Sequence, residues 1–92
     1  MTKAALHFWF VYMVECADGS IYTGITTNIK DRIEKHNSGE GAKYTRSRLP
    51  VKLLVYWEHS NRSEATKREL EIKKLSRTGK KELVKENKKR LS

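Results

Sequence analysis

The chain has 92 residues, 37% apolar and 34% charged, with a net charge of +9. This length fits one domain over residues 1–92; no apolar run approaches the ~18 residues of a membrane span, and a lone cysteine, Cys16, excludes an internal disulfide framework and fits the reducing cytoplasm. A basic excess of this size calls for a polyanionic partner, nucleic acid above all, and twelve Lys/Arg against five Glu from Arg62 onward supply +7 of it.

Residues 7–16 (HFWFVYMVEC) are aromatic and β-branched with little polarity. They predict a central strand covered on both faces, with Phe8, Phe10, Tyr12 and Val14 pointing one way and Trp9, Val11 and Met13 the other. Residues 4–14 lack a preceding basic segment and contain His7 and aromatic β-formers, so they read as a strand and not a signal peptide. Ala17-Asp18-Gly19-Ser20 is a turn signal, residues 21–23 make a short second strand, and Gly24 ends it. Thr27 or Asn28 can cap a helix over residues 29–37. Ile29 and Ile33 form its apolar line, and Arg32 and His36, also i and i+4, lie beside that line. Residues 38–50 read as a polar, basic loop with Lys43, Tyr44, Arg46 and Arg48. Residues 51–58 are a third strand.

Residues 61–76 read as an amphipathic helix, with Asn61 and Glu64 placed for a capping box. Its apolar stripe is Ala65, Ile72 and Leu75. Glu69 sits at i+4 from Ala65 and i−3 from Ile72, so it falls inside the stripe. A carboxylate facing a core is costly unless a cation or a catalytic cluster pairs with it. Thr78-Gly79 breaks the chain, and residues 80–90 form a short, weakly apolar helix around Leu83 and Val84 that frays into the basic tail of residues 80–92. The order ββαβαα predicts a small α/β (α+β) layer: a three-stranded, mostly antiparallel sheet flanked by helices.

These residues resemble a known family. Phe10-Val11-Tyr12 and Tyr22-Thr23-Gly24 look like the paired triplets of the GIY-YIG endonuclease superfamily. Arg32, Glu69, the stretch Ala-Lys-Tyr-Thr-Arg over residues 42–46, Pro50-Val51 and Ile72-Lys73 look like its short single-domain bacterial branch. The resemblance implies a small metal-dependent endonuclease acting on DNA, or by the same chemistry RNA, as a cytoplasmic monomer. Glu69 would hold one divalent ion, Mg²⁺ or Mn²⁺. Arg32 would neutralise a phosphate oxygen. Tyr12 and Tyr22 would bracket the attacking water, one of them with its pKa lowered by a nearby cation, and His36 would shuttle a proton or bond the phosphate. Gly24 would let the backbone approach substrate, and Lys43, Arg46 and Arg48 would reach phosphates. Specificity would come from nucleic-acid structure or from a recognition partner protein, since no separate recognition domain is evident.

Each residue also has a structural alternative. Tyr12 and Tyr22 can be strand aromatics, Arg32 can pair with Glu69 in a salt bridge, and His36 can be a satisfied surface-edge histidine. His7 and His59 have no evident partner. The resemblance has two departures: the opening triplet lacks its glycine and isoleucine, and Ile25 stands where many relatives carry lysine. The second leaves open a non-catalytic nucleic-acid-binding module that kept the fold.

Overall fold

The computed structural model describes residues 8–91, and side chains over residues 8–87. His7 and, from residue 88, the side chains of the lysine-rich end expected to fray lie outside the described residues. Strands β1 (Trp9–Glu15), β2 (Ile21–Thr26) and β3 (Lys52–His59) form one sheet of order β2-β1-β3. Both pairings are antiparallel, so the sheet is antiparallel throughout. The central position of β1 follows from its sequence: Val11, Tyr12, Met13 and Val14 are all buried, which only a strand covered on both faces allows.

Helix α1 (Ile29–Asn37) covers one face of the sheet. Ile29 and Ile33 pack with Tyr12, Val14, Cys16 and Val51. Asn28 caps it, accepting from the Asp31 N–H at 3.1 Å. At its other end the Gly39 and Glu40 N–H groups return to the carbonyls of His36 and Lys35, a Schellman closure. Helices α3 (Arg62–Lys73) and α4 (Arg77–Leu91) cover the opposite face. There Ala65, Ile72 and Val84 pack on Val11, Met13 and Val55. Asn61 caps α3 through the Glu64 N–H at 2.9 Å, one half of the expected box.

Four boundaries differ from the sequence reading. Gly24 does not end β2; it pairs with Tyr12 inside the strand, which runs to Thr26. The loop over 38–50 contains a single helical turn, α2 (Lys43–Arg46). Helix α3 stops at Lys73, leaving Leu75 39% exposed rather than in the stripe. Thr78-Gly79 does not break the chain, because Ser76 starts α4: its hydroxyl accepts from the Gly79 N–H at 3.0 Å and its carbonyl from the Lys80 N–H at 2.9 Å. Gly79 therefore falls in a first turn, where side-chain capping offsets its poor helix propensity.

Candidate active site

The site forms at the β2 side of the sheet. The Tyr12 ring lies across Gly24, where an added Cβ would stand 2.7 Å from the Tyr12 hydroxyl and 2.9 Å from Cζ. Glycine at 24 is therefore what admits that ring. The space above this backbone belongs to Tyr12, not to an approaching ligand.

Tyr12 is the centre of a chain of hydrogen bonds. Its Oη accepts from Arg32 Nε at 3.3 Å and lies 2.8 Å from His36 Nε2. His36 Nδ1 lies 2.8 Å from Thr45 Oγ1, which donates to the Ala42 carbonyl at 2.9 Å. His36 and Thr45 are both fully buried, so these groups must satisfy one another. The directions follow from donor chemistry. The Ala42 carbonyl, which also takes the Thr45 and Arg46 N–H groups, only accepts, and the 2.9 Å contact assigns it the single Thr45 proton. The Thr45 oxygen then accepts, and His36 Nδ1 carries the hydrogen. Burial, reinforced by the Arg32 charge, holds the His36 pKa below the ordinary 6.5, so the ring is neutral near pH 7 and Nε2 is a bare acceptor. Tyr12 therefore donates its proton to His36.

Burial also pushes the Tyr12 pKa above 10.0. The bond from Arg32 and its charge oppose this, while Tyr22 and Glu69 push it further up. Within the protein alone, then, Tyr12 is a neutral phenol beside a base, not a tyrosine with the lowered pKa expected from sequence.

Around this chain is an aromatic cluster. The Tyr22 ring lies 6.4 Å from Tyr12 and meets His36 edge-on at 5.5 Å. Tyr44 of α2 stacks on Tyr22 at 5.9 Å, and the Arg48 guanidinium covers Tyr44 at 4.0 Å. From the other face of the sheet, α3 brings Glu69, 15% exposed, and Lys73, whose Nζ lies 3.1 Å from Glu69 Oε2 and 5.8 Å from the Tyr22 ring centre. A hollow of about 270 Å³ is lined by Ile21, Tyr22, Thr23, Tyr44, Lys73 and Lys80. The buried Thr23 hydroxyl has no hydrogen-bond partner among the described residues. A larger hollow of about 700 Å³, apolar and bordered by Phe10, Ile29, Ile33, Leu53 and Tyr56, shares no residue with this cluster.

The structure thus brings Tyr12, Tyr22, Arg32, His36 and Glu69 together from β1, β2, α1 and α3. Two structural alternatives fall away. Arg32 bonds Tyr12, and the salt-bridge partner of Glu69 is Lys73. His36 is buried, not at a surface edge. Of the basic loop, Lys43 and Arg46 are exposed. Arg48 instead donates to Asp18 Oδ2 at 3.1 Å and to the Tyr44 carbonyl at 2.7 Å, so its guanidinium is committed within the protein. Thr45, Gly41, Lys73 and Tyr44 were assigned no role from sequence. Within residues 42–46 only Lys43 and Arg46 carry a role from sequence, and nothing in a four-residue turn signals which side chain it buries.

Among the described residues no three His, Cys, Asp or Glu side chains gather to form a metal cage. A site with one carboxylate suits a hard cation that keeps several waters and takes oxygens from a phosphate, and it does not suit a closed protein-only centre. Glu69 fits that role.

The model of the GIY-YIG catalytic domain matches residues 8–83 of the chain. The UPF0213 protein DP2720 of Desulfotalea psychrophila is 62% identical over 86 residues, covering 91% of this chain and 77% of that one. UPF0213 proteins of Staphylococcus aureus are 52% identical over 77 residues, covering 84% of this chain and 94% of theirs. The solution structure of the UPF0213 protein BH0048 from Bacillus halodurans superposes with a TM-score of 0.56 at 50% identity, over 85% of this chain and 83% of that one. The structure of EF2693 from E. faecalis gives 0.59 at 44% identity with the same coverage. The chain belongs to the GIY-YIG catalytic-domain family, among the UPF0213 proteins. This membership implies a nuclease-like function, and nucleases of the family generally use a divalent metal.

Proposed function

We propose that this protein is a Mg²⁺-dependent endonuclease that hydrolyses phosphodiester bonds in DNA, selecting substrates by nucleic-acid structure or with a recognition partner. The observation that carries this reading is the directed chain Arg32–Tyr12–His36. Tyr12 Oη has a lone pair left over, which can accept a hydrogen bond from water. As that water attacks phosphorus, its proton passes to Tyr12 while the Tyr12 proton passes to His36 Nε2. The new P–O bond forms as the bond to the leaving oxygen breaks, and the leaving oxygen takes up a proton from solvent. Tyr12 need never become a free phenolate, so a cation at position 25 is not required. His36 is the net base, acting through Tyr12. Arg32 balances the negative charge gathering beside Tyr12. Tyr22 walls the site. Glu69 would hold the metal, which supplies charge neutralisation on the phosphate.

A second reading, a nucleic-acid-binding module without catalysis, is favoured by one contact. Lys73 already pairs with Oε2 of Glu69 and competes with any metal for that carboxylate. A cleavage screen over duplex, single-stranded, flap and branched DNA with and without Mg²⁺ separates the two. The nuclease reading expects cleavage of at least one substrate with Mg²⁺ only, abolished in Glu69→Gln. Tight binding without cleavage of any substrate would overturn it.

A further inference from the structure

The hydroxyl of Thr45 is buried and faces His36, in the same loop that carries Tyr44, Lys43 and Arg46. Gly41 passes so close that an added Cβ would stand 2.5 Å from His36 Nδ1 and 2.8 Å from His36 Cα. Ala42 then turns its carbonyl to Thr45, and Thr45 presents its oxygen to Nδ1. Three residues, Gly41, Ala42 and Thr45, therefore build a socket around one ring nitrogen.

We propose that Thr45 is a positioning residue: it sets the His36 tautomer and thereby decides which way the Tyr12 hydroxyl points. This rests on the nuclease reading only for its catalytic consequence. The argument is proton arithmetic. The Thr45 proton is spent on Ala42, so the Thr45 oxygen stabilises only a hydrogen on Nδ1. A neutral imidazole carries one hydrogen, so Nε2 is left bare and Tyr12 must donate inward. Without the Thr45 oxygen, a buried Nδ1–H loses its acceptor and becomes costly. The ring then takes its hydrogen on Nε2, the form a free histidine side chain prefers. Tyr12 would accept from both Arg32 and His36, and its own proton would turn outward. A tyrosine in that state donates to water and cannot take a proton from it. Among the described residues no other group facing His36 restores the order. Tyr12 comes from β1, Tyr22 from β2, Arg32 from α1 and Thr45 from α2, and there is no carboxylate among them to hold an imidazolium.

The test is the two-bond ¹H–¹⁵N correlation spectrum of the His36 ring in the ¹⁵N-labelled full chain near neutral pH, run beside cleavage kinetics. In the parent protein the ring is expected with hydrogen on Nδ1 and a bare Nε2. In Thr45→Val, which keeps shape and removes the oxygen, the hydrogen is expected on Nε2. There kcat should fall roughly 10²-fold or more, the scale of a lost general base, with KM for DNA changed by less than about 2-fold. Thr45→Ser should restore both spectrum and rate. A parent ring carrying its hydrogen on Nε2, or on both nitrogens, would overturn the proposal even if Thr45→Val fails to fold. So would a folded Thr45→Val with the parent's tautomer. The expected tautomer switch with no cleavage by any variant would uphold Thr45's role and sink the nuclease reading alone.

Discussion

At the scale of single residues, the candidate site holds ionisable groups neutral. Tyr12 is kept protonated by burial, and His36 is kept unprotonated by burial and by Arg32. A pH dependence follows with a definite sign. The His36 pKa is lowered in the fold, so the active, neutral form persists below the usual histidine range. Cleavage should be flat from neutral pH upward until other groups titrate, and should fall only below pH 6.5, through the folded His36 value. A rate still climbing between about pH 7 and 10 would mean that Tyr12 itself must ionise, and would contradict the relay. Stability moves in the same direction. The unfolded chain takes up the His36 proton at a higher pH than the folded one, so this contribution is complete above about 6.5 and is lost as pH falls through the folded pKa. Urea titrations of the parent and of His36→Gln between pH 5 and 8 measure it: the parent's stability should drop more steeply toward acid.

At the scale of elements, the site depends on close backbone approaches that only glycine allows. Gly24→Ala should destabilise the protein by about 1–3 kcal/mol, the range for overpacking a filled interior. It should also lower cleavage by displacing Tyr12. Thermal and urea unfolding read the first and kinetics the second. A variant as stable and active as the parent would mean that the Tyr12 ring does not lie across β2. The same packing explains what was legible in the sequence. The apolar run around Val11–Val14 announced a covered strand, and Asn28, Ile29 and Ile33 announced α1, because caps and periodicity are local signals. Arg32, His36 and Glu69 stood out by their offsets from an apolar line. Gly24 read as a strand end because its reason, the Tyr12 ring from the neighbouring strand, is a tertiary contact. Thr78-Gly79 read as a break because glycine is a local breaker signal, while the Ser76 hydroxyl that caps the Gly79 N–H shows only in the fold. Thr45 was illegible as chemistry because its role exists only once α2 folds back on α1.

At the scale of the whole molecule, α1 and α3 press on opposite faces of one small sheet, and the site lies where both reach the β2 side. With a net charge of +9, affinity for DNA should be strongly salt-dependent. Lys43→Ala and Arg46→Ala should each reduce the slope of log affinity against log salt by roughly 0.7 to 0.9. Arg48→Gln should leave that slope unchanged, because its guanidinium is bound to Asp18 and Tyr44. Fluorescence anisotropy with labelled DNA reads these slopes, and affinity indifferent to salt would contradict the nucleic-acid assignment. Catalysis itself is tested most directly by one comparison: cleavage by the parent and by Tyr12→Phe, with Mg²⁺, on a substrate both bind equally. The substitution removes one hydroxyl and leaves the ring packed. The account predicts unchanged binding and a loss of roughly 10²-fold or more in rate for Tyr12→Phe; cleavage equal to the parent's would contradict it and remove Tyr12 from the chemistry.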